Sequence, residues 1–418
     1  MHDNIQESRQ AVLVSIDTGL FDAETSLDEL QELAATAEID TVARMTQKRE
    51  ALDRVTALGG GKLEELAEYV KNSGADMVIF DHELSATQLR NIEKMCDVEI
   101  LDRTMLILEI FASRAQSHEG RLQVELAQHK YLLPRLSGMG KSLSRLGGGG
   151  GGSGAGARRG KGETKLELDR RHIRHRIASL QAQLDSLEAR RDQMRRRREK
   201  DGVTTVAIVG YTNVGKSTLL NTLTQAGVLA KDQLFATLDP TARALTLPDG
   251  RNVLLIDTVG LIRRLPHHLV EAFKSTLEEA VQADLLLNLC DISSPAAADQ
   301  MAVTRELLTG LGAENTPILE VLNKADLVEG SLPDLGGNTV TISAKTGMGL
   351  EALLLRISQL LPPSQSRLNL LVPYSDGAVL AEIRRDGKVF SEDFAQDGTL
   401  VDALVDHKLI HRVRGYIQ

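Results

Sequence analysis

Thr205-Val206-Ala207-Ile208-Val209-Gly210-Tyr211-Thr212-Asn213-Val214-Gly215-Lys216-Ser217-Thr218 runs from an apolar, β-branched stretch into a loop bracketed by glycines and closed by a Lys-Ser pair. The apolar stretch has the length and composition of a buried strand, and Lys216-Ser217-Thr218-Leu219-Leu220 opens a helix. Strand, glycine loop and helix start in that order make a phosphate cradle. The glycines let backbone N–H groups turn toward the anion, and the helix end adds its positive pole. Gly210, Tyr211, Thr212, Asn213, Val214, Gly215, Lys216, Ser217 and Thr218 are therefore candidate nucleotide-binding residues. Lys216 is the cation that reaches the β- and γ-phosphates, and the Ser217 hydroxyl is a candidate Mg²⁺ ligand.

Three further segments follow in register. Asp257-Thr258-Val259-Gly260 ends the apolar run Val253-Leu254-Leu255-Ile256, so Asp257 projects from the carboxyl edge of a buried strand, where the carboxylate of a magnesium site belongs. Gly260 has no side chain to keep its N–H from a γ-phosphate, so this segment can tell GTP from GDP. Between the two, Thr237 in Phe235-Ala236-Thr237-Leu238-Asp239-Pro240 is the best candidate for a loop threonine completing the magnesium shell, with Thr241 a weaker alternative. Lys216, Thr237 and Gly260 are the residues assigned to the reaction itself.

Base choice falls to Asn323-Lys324-Ala325-Asp326, which follows the strand Ile318–Leu322. The Asp326 carboxylate can accept from both the N1–H and the exocyclic amine of guanine, a donor pair that adenine lacks. The Lys324 stem can lie along the base, and the backbone of Ser343-Ala344-Lys345, after the strand Thr339–Ile342, can approach the guanine carbonyl. Four segments in this order specify a P-loop GTPase domain over residues 201–362, with GTP as substrate, GDP as product and Mg²⁺ as cofactor. Leu261 stands where many Ras-like GTPases carry a water-orienting Gln. A Leu cannot hydrogen-bond water, so slow intrinsic hydrolysis is expected, accelerated by a partner. Asn213 inside the loop marks potassium as a candidate further cofactor.

The chain has 418 residues, enough for several domains, and a net charge of −9. That charge is unevenly placed. Residues 158–200 hold fifteen Lys and Arg against seven Asp and Glu, a local +8 that leaves the remainder near −17. A basic arm on an acidic body is the pattern of one defined surface meeting a phosphate backbone, and it argues against indiscriminate nucleic-acid binding. With no Trp, five Tyr and seven Phe, stacking on single-stranded bases is disfavoured as a main mode. Two cysteines in apolar settings fit a reducing compartment without a metal cluster. No apolar run reaches membrane-spanning length and the first residues do not read as an export signal, so a cytoplasmic location is expected.

Around the GTPase domain the fold class is α/β and multidomain. Residues 1–103 alternate strands (Ala11–Ile16, Thr41–Gln47, Met77–Phe80, Val98–Leu101) with helices, the first capped by Ser26, and read as a small α/β domain. Gly59-Gly60-Gly61-Lys62 lacks a preceding apolar strand and reads as a turn and helix start. Residues 104–200 form a long helical hairpin. One continuous helix runs to Leu133, and its partner carries Leu166, Ile173, Ile177, Leu180, Leu184 and Leu187 at coiled-coil spacing. A glycine-rich basic loop, 147–162, lies between them and is expected to be ordered by a phosphate-rich partner. After Pro362-Pro363, residues 363–418 read as a small α+β domain with strands at Leu368–Val372, Val389–Phe394 and Leu409–Val413.

Taken together, the chain resembles the HflX family of translational GTPases over essentially its whole length. The resemblance rests on Gly120–Gln128 with Tyr131 and Leu133-Pro134-Arg135-Leu136, on Gly162–Arg171 after the glycine tract, and on Asp257–His267 with Leu269-Val270 and Ala272-Phe273. The chain departs from the family pattern at Lys161, Lys165 and Leu261 and in a longer glycine tract, none of them a phosphate or magnesium ligand. The resemblance implies a GTPase, a monomer when free, that binds the large ribosomal subunit and its rRNA through the N-terminal domain and basic hairpin loop. It implies that the factor splits or rescues stalled or stressed ribosomes and that hydrolysis times its release. A ribosome-assembly GTPase acting on large-subunit precursors is the alternative, and an independent ATP-using N-terminal module is a weaker third.

Overall fold

The computed structural model describes residues 9–136, 165–200, 202–224, 234–235, 241–264, 269, 281–314, 316–328, 337–362 and 365–418. The chain divides into two compact units. The first comprises Met1–Leu187, Lys231–Asp239 and Ile262–Ser275; the second comprises Glu188–Ala230, Pro240–Leu261 and Thr276–Gln418.

The first unit is built on a four-stranded parallel sheet in the order β2-β1-β3-β4, from β1 (Arg9–Asp17), β2 (Ile39–Lys48), β3 (Met77–Phe80) and β4 (Glu99–Asp102). Its central strands are apolar on both faces, as a sheet covered by helices on both sides requires. Val12, Val14 and Ile16 pack with Leu63, Leu66 and Val70 of α2 (Gly60–Ser73) and with Leu89 and Ile92 of α3 (Ala86–Cys96). The glycine triplet is indeed a helix start, with Gly59 as the cap of α2.

One cap differs from expectation. α1 (Ala23–Thr36) is capped by Asp22, whose carboxylate accepts from the Glu24 and Thr25 N–H groups. Two carboxylate oxygens facing two orphan donors outcompete a hydroxyl one turn later. Ser26 is instead buried inside the helix and donates to Asp81 at 2.8 Å.

The helix expected from residue 103 to 133 is broken in two, α4 (Arg103–Arg114) and α5 (His118–Leu132). Ala115 is extended, and Ser117 starts α5 by accepting the Gly120 N–H at 2.8 Å, the competition that makes serine a helix starter rather than an interior residue. The hairpin seam is as spaced: Leu180 is fully buried against Leu122 and Leu126, with Ile177, Leu184 and Leu187 beside it, on α6 (Lys165–Lys200). Arg176 adds a bidentate bond to Glu125. The glycine-rich loop, 147–162, lies outside the described residues.

In the second unit six strands lie in the order β10-β9-β8-β5-β7-β6. They are β5 (Thr204–Gly210), β6 (Thr241–Thr246), β7 (Asn252–Asp257), β8 (Leu285–Asp291), β9 (Ile318–Asn323) and β10 (Thr339–Thr341), and only the edge strand β6 runs antiparallel to its neighbour. α7 (Lys216–Thr224), α8 (Ala297–Gly310) and α9 (Leu350–Leu360) belong with this sheet.

The C-terminal part is a three-stranded antiparallel sheet, β11 (Gln365–Val372), β12 (Lys388–Ala395) and β13 (Gly398–Asp406), in the order β11-β13-β12, with α10 (Gly377–Asp386). Here the expected strand at Leu409–Val413 is a helix, α11 (His407–Val413). The strand lies before it: Gln396-Asp397 makes a two-residue turn that returns β13 along β12.

Both cysteines are buried, Cys96 in α3 and Cys290 in β8, and burial pushes their thiols up to about 11 and about 12. No described helix is long and apolar enough to cross a membrane. Truncating Leu180 to Ala removes the only fully buried side chain of the seam cluster, which costs roughly 2–4 kcal/mol where the site cannot collapse. Hydrogen exchange should then speed up at least about tenfold in α5 and in 173–187, with β5 and β8 unchanged.

Candidate active site

Four strands end on one edge of the six-stranded sheet with a polar or glycine residue: Gly210 on β5, Asp257 on β7, Asp291 on β8 and Asn323 on β9. The carboxyl edge of a parallel sheet is where open α/β folds hold ligands. The loop after β5 leads directly into the N-terminus of α7. Asn213 sits there at φ 60° and is exposed, while Lys216 is buried.

Lys216 Nζ donates to the Tyr211 carbonyl at 2.7 Å and the Gly210 carbonyl at 3.1 Å. Burial pushes its pKa down to about 8, with Asp257 pulling it back up. The Ser217 hydroxyl lies 2.7 Å from Asp257 Oδ2. A neutral hydroxyl and a buried carboxylate placed together are the hard oxygen donors that suit Mg²⁺, so Ser217 and Asp257 would hold it. When bound, that ion neutralises charge on the β- and γ-phosphates. Thr237, the other candidate ligand, lies outside the described residues. Thr241 begins the edge strand β6.

The Asp257–Gly260 loop presses against the phosphate loop. A Cβ on Gly260 would lie 2.6 Å from Thr212 Cγ2 and 3.2 Å from Lys216 Nζ, so no other residue fits. Next to it, Leu261 forms a parallel bridge with Tyr211. The Thr212 N–H donates to the Leu261 carbonyl at 2.8 Å, and the Leu261 N–H to the Gly210 carbonyl at 3.1 Å. The Leu261 side chain is 2 % exposed. The residue at the water-orienting position is thus a buried wedge.

Asn323 is the hub of the base-side loops. Its Nδ2 donates to the Val214 carbonyl at 2.7 Å, and its Oδ1 accepts the Ala344 N–H at 2.9 Å. The Ala344 carbonyl accepts from Thr222 of α7 at 2.8 Å. Gly215, at φ 94°, passes so close that a Cβ would sit 2.5 Å from Asn323 Nδ2. Asn323 therefore ties the phosphate loop to the base loops. Lys324, at φ 63°, pairs with Asp291 at 2.8 Å. Asp326 is exposed and accepts from the Ser343 hydroxyl at 2.6 Å, which holds its carboxyl below the usual range. A charged acceptor facing outward is what a guanine edge needs. Lys345 is exposed beside it.

The sequence-based candidates among the described residues come together on this edge. Two residues were missed. Asp291 ends the apolar run Leu285–Cys290 just as Asp257 ends its own, a signal that was readable. Thr222, in the second turn of α7, carries no such signal.

Residues 24–112 match the family model "GTP-binding GTPase N-terminal", 114–198 match "GTP-binding GTPase Middle Region", and 205–324 match "50S ribosome-binding GTPase". A GTPase HflX of Caldanaerobacter subterraneus is 49 % identical over all of this chain and 96 % of its own. The chain belongs to the HflX family of GTPases. Another HflX, from Lacrimispora saccharolytica, is 47 % identical over 96 % of this chain and 94 % of its own, and the Escherichia coli HflX is 41 % identical over 96 % and 94 %. A GTP-binding protein of Sulfolobus solfataricus, solved with GDP, is similar at 25 % identity over 84 % of this chain and 98 % of that one, with a TM-score of 0.44. As an HflX family member the chain is a GTP-binding protein that hydrolyses GTP.

Replacing Asn323 by Ala in this chain would strand the Val214 carbonyl and the Ala344 N–H, at about 1–3 kcal/mol per buried group. GDP and GTP should both bind at least about tenfold more weakly, measured by titration with fluorescent nucleotides; selective loss of one would place Asn323 at the γ-phosphate instead. Lys216 gives a pH prediction. Its pKa is near 8 here, and a bound phosphate raises it, so binding takes up a proton and affinity falls as pH rises above about 8. Calorimetry of GDP binding at pH 8 in buffers of different ionisation enthalpy should show uptake of about half a proton, and Lys216→Ala should abolish it.

Proposed function

We propose that this protein is a GTP-driven factor of the large ribosomal subunit that splits or rescues stalled ribosomes, with hydrolysis timing its release. The observation that carries this reading is the match of residues 205–324 to a 50S ribosome-binding GTPase model, joined to a chain whose basic charge is gathered in 158–200 while the rest is acidic. A surface of that kind engages rRNA phosphates through Lys and Arg and loses affinity steeply with salt.

Slow intrinsic chemistry belongs to the same reading. Leu261 is buried and bonded through its backbone to the phosphate loop, so it brings no polar group to an attacking water. A partner that orders the segment beginning at Asp257–Gly260 would then supply the acceleration. In this reading Lys216, Thr237 and Gly260 serve the γ-phosphate. Ser217, Thr237 and Asp257 hold Mg²⁺, and Asp326 with Lys324 and the Ser343–Lys345 loop selects guanine. Asn213, exposed at φ 60°, would help bind a potassium ion beside the phosphates.

GTP hydrolysis measured with and without purified large subunits, in potassium and in sodium buffer, tests the reading. Stimulation on the order of a hundredfold, with salt-sensitive and GTP-dependent cosedimentation, is the expected result. Binding that ignores the nucleotide would overturn it, and equal rates in the two buffers would remove the role of potassium.

A further inference from the structure

Lys324 has two carboxylates to choose from in the base-side loops, and it takes only one. Asp291 ends β8 and Asn323 ends β9, and the two are partners in the parallel ladder. Just beyond them, the Ile292 N–H donates to the Asn323 carbonyl at 3.0 Å. Asp291 Oδ1 accepts from the Ser293 N–H at 3.0 Å and from the Ser293 hydroxyl at 2.6 Å, a turn in which a side chain stands in for a backbone acceptor. Oδ2 takes the Lys324 ammonium at 2.8 Å. This pair is sheltered, with the lysine side chain 26 % and the aspartate 16 % exposed.

The other carboxylate is Asp326, two residues after Lys324. It is exposed, and its Oδ1 accepts from the Ser343 hydroxyl. That hydroxyl above all holds the Asp326 carboxyl below the ordinary range, and the charges of Lys345 and Lys324 pull the same way. Asp326 thus feels the Lys324 charge without pairing with it. The Lys324 backbone cannot adjust to choose between the two. It sits at φ 63° and ψ 32°, a left-handed conformation that a residue with a side chain keeps only while its surroundings hold it. The Ala325 N–H is bonded to the Ile342 carbonyl at 3.1 Å and the Leu327 N–H to the Lys324 carbonyl at 3.0 Å. Only the flexible stem can redirect the ammonium, so its position is decided by the carboxylate that binds it better. Lys345 is exposed, where water screens a pairing to near nothing.

We propose that Asp291 is a positioning residue that sets base specificity: by holding the Lys324 ammonium it keeps the Asp326 carboxylate uncompensated for guanine. The proposal rests on the reading of Asp326 as the guanine acceptor. A carboxylate takes the N1–H and the exocyclic amine through charge-assisted bonds, roughly twice as strong as neutral ones. An ammonium seated on the same oxygens would cancel that charge and occupy acceptor positions. Lysine carries donors and no acceptor, so at Asp326 it competes with the base edge. Asp291 settles the competition without touching the nucleotide. Its pair with Lys324 is better shielded from water than a pair at the exposed Asp326 would be, and the Coulomb attraction is correspondingly stronger.

Inosine diphosphate keeps the N1–H and lacks the exocyclic amine, so its affinity relative to GDP reads the second of those bonds. Competition of each against fluorescent GDP on the full chain should show a preference for GDP of about tenfold in the unaltered protein. Asp291→Asn keeps the side chain's shape and its Oδ1 acceptor for Ser293 and removes only the charge. It should lower the preference at least about threefold, GDP losing more affinity than inosine diphosphate. Asp291→Ala should lower it likewise, and decides if the amide disturbs the turn. Adding Lys324→Met to Asp291→Asn should restore the preference, because the competing charge is then gone. Equal losses for the two diphosphates, which a merely structural role would give, would overturn the proposal, as would a double variant that fails to restore the preference. Asp326→Asn separates the proposal from the reading beneath it. A preference that survives Asp326→Asn overturns both, and one that Asp326→Asn removes while Asp291→Asn leaves it intact overturns the proposal alone.

Discussion

The nucleotide site depends on backbone passing where no side chain can go. Gly215 runs against the amide of Asn323, and Gly260 runs against Thr212 and the ammonium of Lys216, both closer than any Cβ allows. These two approaches join the phosphate loop to the base loops on one side and to the Asp257–Gly260 loop on the other. Everything else about the site follows from them. Asn323 can span Val214 and Ala344 only because Gly215 leaves room. Lys216 is buried only because Gly260 closes over it. Burial in turn sets the lysine near its titration point, where a phosphate restores the charge that desolvation opposes.

Much of this was legible in the sequence because the local signals are strict. A strand that must end in a glycine loop, and strands that end in Asp257 and Asn323, leave few alternatives once their order is known. Less was legible where two local solutions compete. Asp22 and Ser26 are both good helix starters, and the carboxylate wins because Ser26 is needed by a carboxylate 55 residues away. Residues 103–133 have helical periodicity throughout, yet Ser117 restarts the helix with its own hydroxyl. Leu409–Val413 has strand-like composition and is helical, and as a helix it packs Leu409 and Val413 into the core of the antiparallel sheet. The Asp81 cluster was wholly illegible. It joins β1, α1, α4 and residues 263–264, and no spacing in the chain announces it.

The two parallel sheets share one design. In each, the central strands are apolar and buried and polar residues stand at the carboxyl ends of the strands: Asp17, Lys48, Asp81 and Asp102 in one, Gly210, Asp257, Asp291 and Asn323 in the other. Parallel strands bring those ends together on one edge, so charges distant in sequence meet there. One edge is equipped for a phosphate and a base. At the other, the buried Arg103 bonds two carboxylates and a backbone carbonyl of its own chain, which suits holding a segment in place.

The two thiols carry a consequence of a different kind. Oxidants and alkylating agents attack the thiolate, and with a pKa of about 11 for Cys96 and about 12 for Cys290 no more than roughly one thiol in ten thousand is ionised at neutral pH. Neither side chain is exposed. Each sulfur is therefore withdrawn from peroxide twice, once by burial and once by the scarcity of thiolate.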